Sequence, residues 1–214
     1  MRARTWLLPL VSIGFLVSAP GRCLQLTAHP DAPAPQEPQA AQAEQKAEKQ
    51  EEKKEEKTVL LGRVDRERTE AAVPEWVGVE VESAPDAEVS KALAHVSPGA
   101  SVTVYFGTWC SDSRREVSRL WRALDLSGSA PDALPFRLEY VGVDETKKEP
   151  ADLLAGVGLL YVPTFVVRRG GAEVGRIVEE SPNGIESDLL GLLEGQTHGL
   201  VTAKKSLLEA SGKP

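Results

Sequence analysis

The sequence is poor in the residues from which most metal sites and disulfide frameworks are built. Only two cysteines and three histidines occur among 214 residues. Two cysteines exclude a disulfide-rich scaffold and a cysteine-based structural zinc site. His29, His95 and His198 are far apart in the chain. We therefore expect no metal site and no cofactor.

Positive charge is also in short supply. Lys and Arg number 25 against 32 Asp and Glu, for a net charge of −7. The basic footprint of a nucleic-acid-binding protein is therefore missing. The length suits one ordinary domain with extensions, so function is expected to come from one local motif.

The N-terminus has the pattern of an export signal. Arg2 and Arg4 precede a mostly apolar run of 14 residues, 6–19, which is short of the about 20 residues that span a bilayer. Small residues follow at Ala19-Pro20-Gly21, as at a signal-peptidase site. This pattern predicts a signal peptide over residues 1–21 and a periplasmic or extracellular protein. The alternative is an uncleaved anchor that tethers the protein to the membrane.

The next segment reads as a spacer. Cys23 follows Arg22, whereas a lipid-anchored cysteine usually follows a small residue, so lipidation is possible but not favoured. Residues 29–57 contain no Phe, Trp or Tyr, and residues 41–57 contain only Ala, Gln, Glu and Lys. Such a composition cannot form a core. We predict a disordered Pro-, Ala-, Glu- and Lys-rich linker over residues 22–57.

Helical and strand patterns alternate through the rest of the chain. Strands are predicted at 77–81, 101–106, 136–143, 164–167 and 172–178. Helices are predicted from Pro85, at 113–126 and 150–155, and after a cap formed by Ser181 and Pro182. We predict a domain over residues 58–198 with its core at 101–195, then a polar tail, 199–214, with a helix over 203–210.

This order predicts an α/β fold with a mixed central sheet and helices on both faces. The strand–helix–strand unit joins parallel strands by a right-handed crossover. Gly170-Gly171 marks a hairpin that adds an antiparallel edge. Residues 58–81 form an N-terminal extension that either completes the sheet or lies across it.

One motif carries the chemistry. Cys110 stands where the strand over 101–106 gives way to a long helix, so the unpaired N–H groups and the helix dipole favour its thiolate. Ser113 follows one turn later, and its hydroxyl can donate to the sulfur. The negative charge of Asp112 opposes the thiolate, and Arg114-Arg115 partly offset it.

Two segments together resemble the thioredoxin superfamily. These are Trp109-Cys110-x-x-Ser113 after a strand and Tyr161-Val162-Pro163-Thr164 before the third core strand. The resemblance implies a thioredoxin-like fold over about residues 101–195 and a cis Val162–Pro163 bond. It also implies that a substrate chain pairs with the backbone at Val162. The substrate groove would be lined by Trp109, Ser111, Asp112, Val162, Pro163 and Thr164.

The motif departs from the family pattern at three places. Ser113 replaces the second cysteine, Val104 replaces the buried acid, and Ser111-Asp112 replaces the family's Gly-Pro pair. A dithiol cycle within the motif is therefore impossible. Cys110 can still form a mixed disulfide with a protein or small-thiol substrate, which an external thiol must then release. Cys23 could replace that thiol only if it survives processing and the linker folds back.

These residues predict a monomeric, exported protein that performs single-cysteine thiol–disulfide exchange, with Cys110 and Ser113 as catalytic residues. Isomerisation or removal of a small-thiol adduct fits a single cysteine better than net reduction. The alternative is a redox-silent binding module on the same fold. A peroxidase is disfavoured because Thr103 and Gly107 stand where that family has Pro and Thr. A cluster-sharing monothiol glutaredoxin would carry Cys-Gly-Phe-Ser instead.

Overall fold

The structure of the protein is a computed structural model that describes residues 58–212. The predicted signal peptide, the linker and the fate of Cys23 lie outside the described residues.

A six-stranded mixed sheet forms the centre of the domain. Its strands are β1 (Gly62–Val64), β2 (Ala100–Phe106), β3 (Phe136–Gly142), β4 (Thr164–Arg169), β5 (Ala172–Val178) and β6 (Gly199–Val201). Their order across the sheet is β1-β3-β2-β4-β5-β6. Strand β2 runs parallel to β3 and antiparallel to β4, and β5 runs antiparallel to β4. The predicted mixed sheet is confirmed.

Seven α-helices surround this sheet in the described residues. They are α1 (Arg66–Ala72), α2 (Glu75–Glu82), α3 (Ala87–Leu93), α4 (Ser111–Ser127), α5 (Ala151–Leu154), α6 (Ile185–Glu194) and α7 (Lys205–Ala210). Helices α2, α3 and α6 pack against α4. Leu120 and Trp121 of α4 lie in the main core with Phe106 and Phe165 of the sheet. The predicted helical layers around an α/β sheet are therefore present.

The predicted strand at residues 77–81 is wrong, because this segment is part of helix α2. Trp76 and Glu80, one helical turn apart, are buried, whereas Val77 and Val81 are 42% and 73% exposed. The Trp76 ring packs 5.7 Å from that of Phe106 and 5.8 Å from that of Trp121, between ring centroids. The free energy gained by burying the whole Trp76 indole exceeds the strand propensity of the alternating valines, so the segment is helical.

The predicted cap of the last helix is also wrong. Helix α6 begins at Ile185 after Gly184, whose φ of 90° favours glycine. The Ser181 hydroxyl instead donates to the Asp188 carboxylate. That carboxylate also accepts from the backbone and side-chain N–H groups of Asn183, at 3.1 and 2.8 Å. The Asp188 carboxylate, in the first turn of α6, therefore binds the loop that precedes the helix.

Both ends of the described chain belong to the sheet. Strand β1 pairs antiparallel with β3, so the N-terminal extension completes one edge. Strand β6 pairs parallel with β5 at the other edge, beyond the predicted domain end at residue 198. Helix α7 then falls within the range predicted to be helical, 203–210.

Arg66 links the N-terminal extension to the core. Its guanidinium pairs with Glu70 of α1 at 2.6 Å, with Asp125 of α4 at 2.8 Å and with buried Glu80 of α2. It also stands 5.6 Å from the ring centroid of Trp121. Burial raises the pKa of Glu80 to about 7 even though Arg66 opposes the shift. One guanidinium therefore pairs with three carboxylates, and burial makes one of them, Glu80, harder to ionise.

We expect the Glu80→Gln substitution to reduce the pH dependence of stability. A carboxyl group whose folded pKa exceeds its unfolded value stabilises the fold at low pH, and that contribution is lost as pH rises through about 7. The wild-type free energy of unfolding should therefore fall between about pH 5.5 and 8 by on the order of 1–2 kcal/mol more than that of the variant. Thermal melts followed by circular dichroism at both pH values measure this difference.

The matched control is Glu70→Gln, which removes a half-buried carboxylate from the same guanidinium. It should retain most of the wild-type pH dependence, because the charge of Glu70 is the smallest of the causes that raise the pKa of Glu80. Equal pH dependence in Glu80→Gln and wild type would contradict the expectation.

Candidate functional site

Cys110 occupies the N-cap position of α4, a helix of 17 residues. Its N–H donates to the Gly107 carbonyl and its own carbonyl accepts from the Arg114 N–H, both at 3.0 Å. The side chain is half-buried and its thiol is free. The sulfur therefore lies at the positive pole of the helix dipole.

The sulfur of Cys110 faces the peptide bond that the resemblance singles out. Its thiol donates to the Val162 carbonyl oxygen at 3.4 Å. The Val162–Pro163 bond is cis, which confirms that expectation. Val162, Pro163 and Thr164 are buried, and the Thr164 hydroxyl donates to the Tyr161 carbonyl at 2.7 Å. Two segments about 50 residues apart thus meet at the sulfur.

Ser113 has a structural contact different from the predicted one. The side chain is fully buried, and its oxygen accepts a hydrogen bond from the Gly107 N–H at 3.2 Å. No hydrogen bond joins Ser113 to Cys110 in the described chain. The donation to the sulfur stays a prediction, while the observed bond fixes the turn between β2 and α4.

Trp109 is held beside the sulfur by close packing. Its indole N–H donates to the Val143 carbonyl at 3.2 Å. A Cβ atom built on Gly107 would lie 2.4 Å from the indole ring, so only glycine leaves room for this ring position. Trp109 and Cys110 both pack on a second apolar cluster behind the site. Ser111, the next residue of the predicted groove, is exposed.

A lysine that sequence reasoning missed stands over this indole. The ammonium of Lys147 lies 5.5 Å from the ring centroid of Trp109. Its loop is organised by Asp144, whose carboxylate accepts from the backbone N–H groups of Glu149 and Lys148 at 2.8 Å each. These bonds hold the pKa of Asp144 well below its usual range. An aspartate followed two residues later by a threonine is a turn signal that could have indicated this loop.

Charged side chains from three elements surround Asp112. Its carboxylate pairs with Arg115 of α4 at 2.8 Å and with Lys204, before α7, at 3.7 Å. Lys204 also pairs with Glu180, after β5, at 3.4 Å. Sequence reasoning missed Lys204, because it lies in the predicted polar tail.

An apolar pocket of about 290 Å³ adjoins the buried Thr164. Its wall includes Tyr161 from the segment before β4 and Leu200 and Leu207 from the C-terminal segment. Leu160 at its edge is 71% exposed. A concave apolar surface therefore extends from Tyr161 and Thr164, which flank the cis peptide bond, to the C-terminal helix.

Other kinds of site are not built by residues 58–212. Within that range no group of three or more His, Cys, Asp or Glu side chains is arranged to hold a metal ion. No helix of the same range combines the length and apolar character needed to cross a bilayer. A larger cavity, of about 740 Å³, is lined partly by Arg66, Trp121 and Tyr140, and none of the predicted site residues lines it.

Backbone strain next to the site predicts a stabilising change. Glu179 has a φ of 60°, and its N–H donates to the Pro163 carbonyl at 2.8 Å. A non-glycine residue in the left-handed region carries a steric cost, so Glu179→Gly should raise the free energy of unfolding by about 0.5–1 kcal/mol. A rise in Tm of about 1–4 °C would measure it.

Glu179→Gln is the matched control, because it removes the charge and retains a side chain at positive φ. It should recover little of the gain. If it stabilises the protein as much as Glu179→Gly, the charge of Glu179 and not its backbone is the cause.

Comparison with known proteins gives structural neighbours only. Neither a protein-family model nor a curated protein matches the chain. A Pseudomonas aeruginosa protein of unknown function has 15% identity and a TM-score of 0.43, over 61% of this chain and 86% of that one. An HIV epitope scaffold has 17% identity and a TM-score of 0.43, over 60% and 86%. The long form of thioredoxin f from spinach chloroplast has 15% identity and a TM-score of 0.32, over 58% and 95%.

Proposed function

We propose that the protein is an exported thioredoxin-like protein that performs single-cysteine thiol–disulfide exchange at Cys110. The observation that carries the proposal is the position of the Cys110 sulfur at the N-terminus of α4, 3.4 Å from the Val162 carbonyl. The proposed nucleophile lies at the positive pole of the helix dipole. The cis peptide segment supplies a surface for the polypeptide that carries the disulfide.

The reaction begins when the Cys110 thiolate attacks one sulfur of a substrate disulfide. A bond forms between that sulfur and Cys110, the substrate S–S bond breaks, and the other sulfur leaves as a thiolate that takes a proton. No electrons are gained or lost overall in this step. The product is a mixed disulfide between the protein and its substrate.

Release requires a second thiol. Cys110 is the one cysteine among residues 58–212, and Ser113 stands three residues on. The mixed disulfide is therefore released either by another thiol of the same substrate or by an external small thiol. In the first route a substrate thiolate attacks the substrate sulfur of the mixed disulfide, forms a new substrate disulfide and frees Cys110, so the substrate's disulfides are isomerised. In the second route Cys110 has taken a small-thiol adduct from a substrate, and the external thiol attacks that adduct, forms a small-molecule disulfide and frees the Cys110 thiolate.

The surroundings of the sulfur support a polypeptide substrate. Leu160 and Tyr161 are exposed beside the cis bond, and the apolar pocket next to Thr164 lies on the same surface. Apolar pockets of this kind accept side chains of an extended chain whose backbone pairs with a strand edge. A small-thiol disulfide would use the sulfur and leave the pocket empty.

The Ser113→Cys substitution tests the exchange proposal. It restores a second thiol in the first turn of α4, which can attack the mixed disulfide, release the substrate thiol and leave the protein oxidised. We expect wild type to accumulate a mixed disulfide with a model disulfide. Ser113→Cys should gain turnover, at least several-fold, in net reduction of insulin with dithiothreitol as the electron donor.

Cys110→Ser is the control, and it should form no adduct. No adduct in wild type and no gain in Ser113→Cys would reject exchange. Those results would favour a redox-silent binding module that uses the same groove.

Export is tested by the N-terminus of the mature protein. The charged start, the short apolar run and the small residues at Ala19-Pro20-Gly21 predict cleavage that leaves a chain starting between Pro20 and Gln25. N-terminal sequencing of protein purified from its native host measures this. An intact Met1 in a soluble cytoplasmic pool would contradict export.

A further inference from the structure

Lys204 is fixed beside the thiol motif by the backbone that leads to it. Strand β6 pairs Val201 with Ile177 of β5. The Ala203 N–H then donates to the Glu180 carbonyl at 2.8 Å, and the Lys204 N–H donates to the Thr202 hydroxyl at 3.1 Å. The ammonium reaches the Asp112 carboxylate at 3.7 Å and that of Glu180 at 3.4 Å. The position of Lys204 is therefore fixed by backbone hydrogen bonds at the edge of the sheet as well as by its side-chain ion pairs.

The charges that face this part of the site are nearly balanced. Four carboxylates, those of Asp112, Glu116, Glu179 and Glu180, interact here with the three cations of Arg115, Lys147 and Lys204. Arg115 is shared with buried Glu116, at 3.0 Å, and Lys147 stands over the Trp109 ring. Lys204 is therefore the cation that serves both Asp112 and Glu180.

We propose that Lys204 is a positioning residue of the thiol site, whose ammonium neutralises Asp112 and Glu180 and so favours the Cys110 thiolate. The inference deepens the proposed function and rests on it for its biological meaning. The inference makes the segment between β6 and α7, which carries Lys204, part of the thiol site. The negative charge of Asp112 raises the pKa of Lys204, so the lysine keeps its charge throughout the range in which the thiol ionises.

The effect of the lysine is modest because it is partly exposed. A unit charge in water that lies within a Debye length of an ionising group shifts that ionisation by roughly a few tenths of a pH unit. Removing the lysine charge should shift the ionisation of the thiol upward by that much at low ionic strength. Salt at 1 M, where the Debye length is about 3 Å, should remove most of the difference.

The test is the alkylation rate of Cys110 as a function of pH in the full chain. Iodoacetamide is uncharged, so its encounter with the thiol does not depend on the lysine. Mass spectrometry of the peptide containing Cys110 separates its reaction from that of Cys23. We expect Lys204→Gln to raise the midpoint of the rate profile by about 0.3–0.5 pH unit and Lys204→Arg to retain the wild-type midpoint.

Two further variants complete the design. Lys205→Gln removes an exposed neighbouring charge that has no ion pair in the described chain, and it should leave the midpoint unchanged. Asp112→Asn should lower the midpoint, since it removes the charge that Lys204 neutralises. A Lys204→Gln midpoint equal to that of wild type, or an equal shift in Lys205→Gln, would overturn the proposal.

Failure of this inference and failure of the proposed function are distinguishable. A midpoint shift in Lys204→Gln without mixed-disulfide formation by wild type would support the role of Lys204 and reject exchange. Mixed-disulfide formation without a shift would support exchange and reject the role of Lys204.

Discussion

The antiparallel pairing of β2 with β4 is the constraint on which the site depends. Tyr105 lies opposite Thr164 in that register, and the chain reaches Cys110 five residues after Tyr105 and leaves the cis bond directly before Thr164. A slip of one residue would turn every side chain of β4 to the other face and would separate the Cys110 sulfur from the Val162 carbonyl. The contact of 3.4 Å between them therefore follows from the sheet and not from the loops. Helix α4, fixed by Trp121 and Leu120 in the main core, then orients the sulfur at its N-terminus.

Each extension of the core places a cation among carboxylates. The two cations differ in how much they contribute to the stability of the fold. Arg66, in the N-terminal extension, pairs with a carboxylate that is 6% exposed. Breaking such a pair is costly, because the buried Glu80 must then lose its charge-assisted hydrogen bond and take up a proton. Lys204, at the C-terminal end, pairs with side chains that are 22% and 43% exposed, and such pairs add little to stability. The first cation therefore matters to folding, whereas the second matters only through the charge it places near a reactive group.

The sequence predicted the elements that carry their own periodicity and missed those decided by tertiary packing. Strand β2, helix α4 and the hairpin at Gly170-Gly171 were evident because their patterns are long and their turn residues specific. The valines at 77–81 misled because three apolar residues in alternation also fit the exposed side of a helix anchored by Trp76. The thiol motif was visible as a local pattern. Lys204 was not, because the long-range pairing of β6 with β5 places it at the site and a polar surface segment has no sequence signal for that. The loop of Lys147 has a turn signal at Asp144, but the sequence does not show that this loop lies over Trp109.

The serine at position 113 has a consequence for the turn as well as for the chemistry. Its oxygen accepts the N–H of Gly107 in a buried environment, where an unpaired donor costs about 1–3 kcal/mol. Sulfur is a weaker acceptor than a hydroxyl oxygen, so a cysteine at this position would satisfy that N–H less well. Ser113 therefore stabilises the turn before Cys110 with a stronger hydrogen bond than a cysteine would make. With serine at this position, the motif has no resolving thiol. Under the proposed exchange reaction, a mixed disulfide at Cys110 would persist until another thiol reaches it, because the first turn of α4 holds an oxygen where a second sulfur could have attacked.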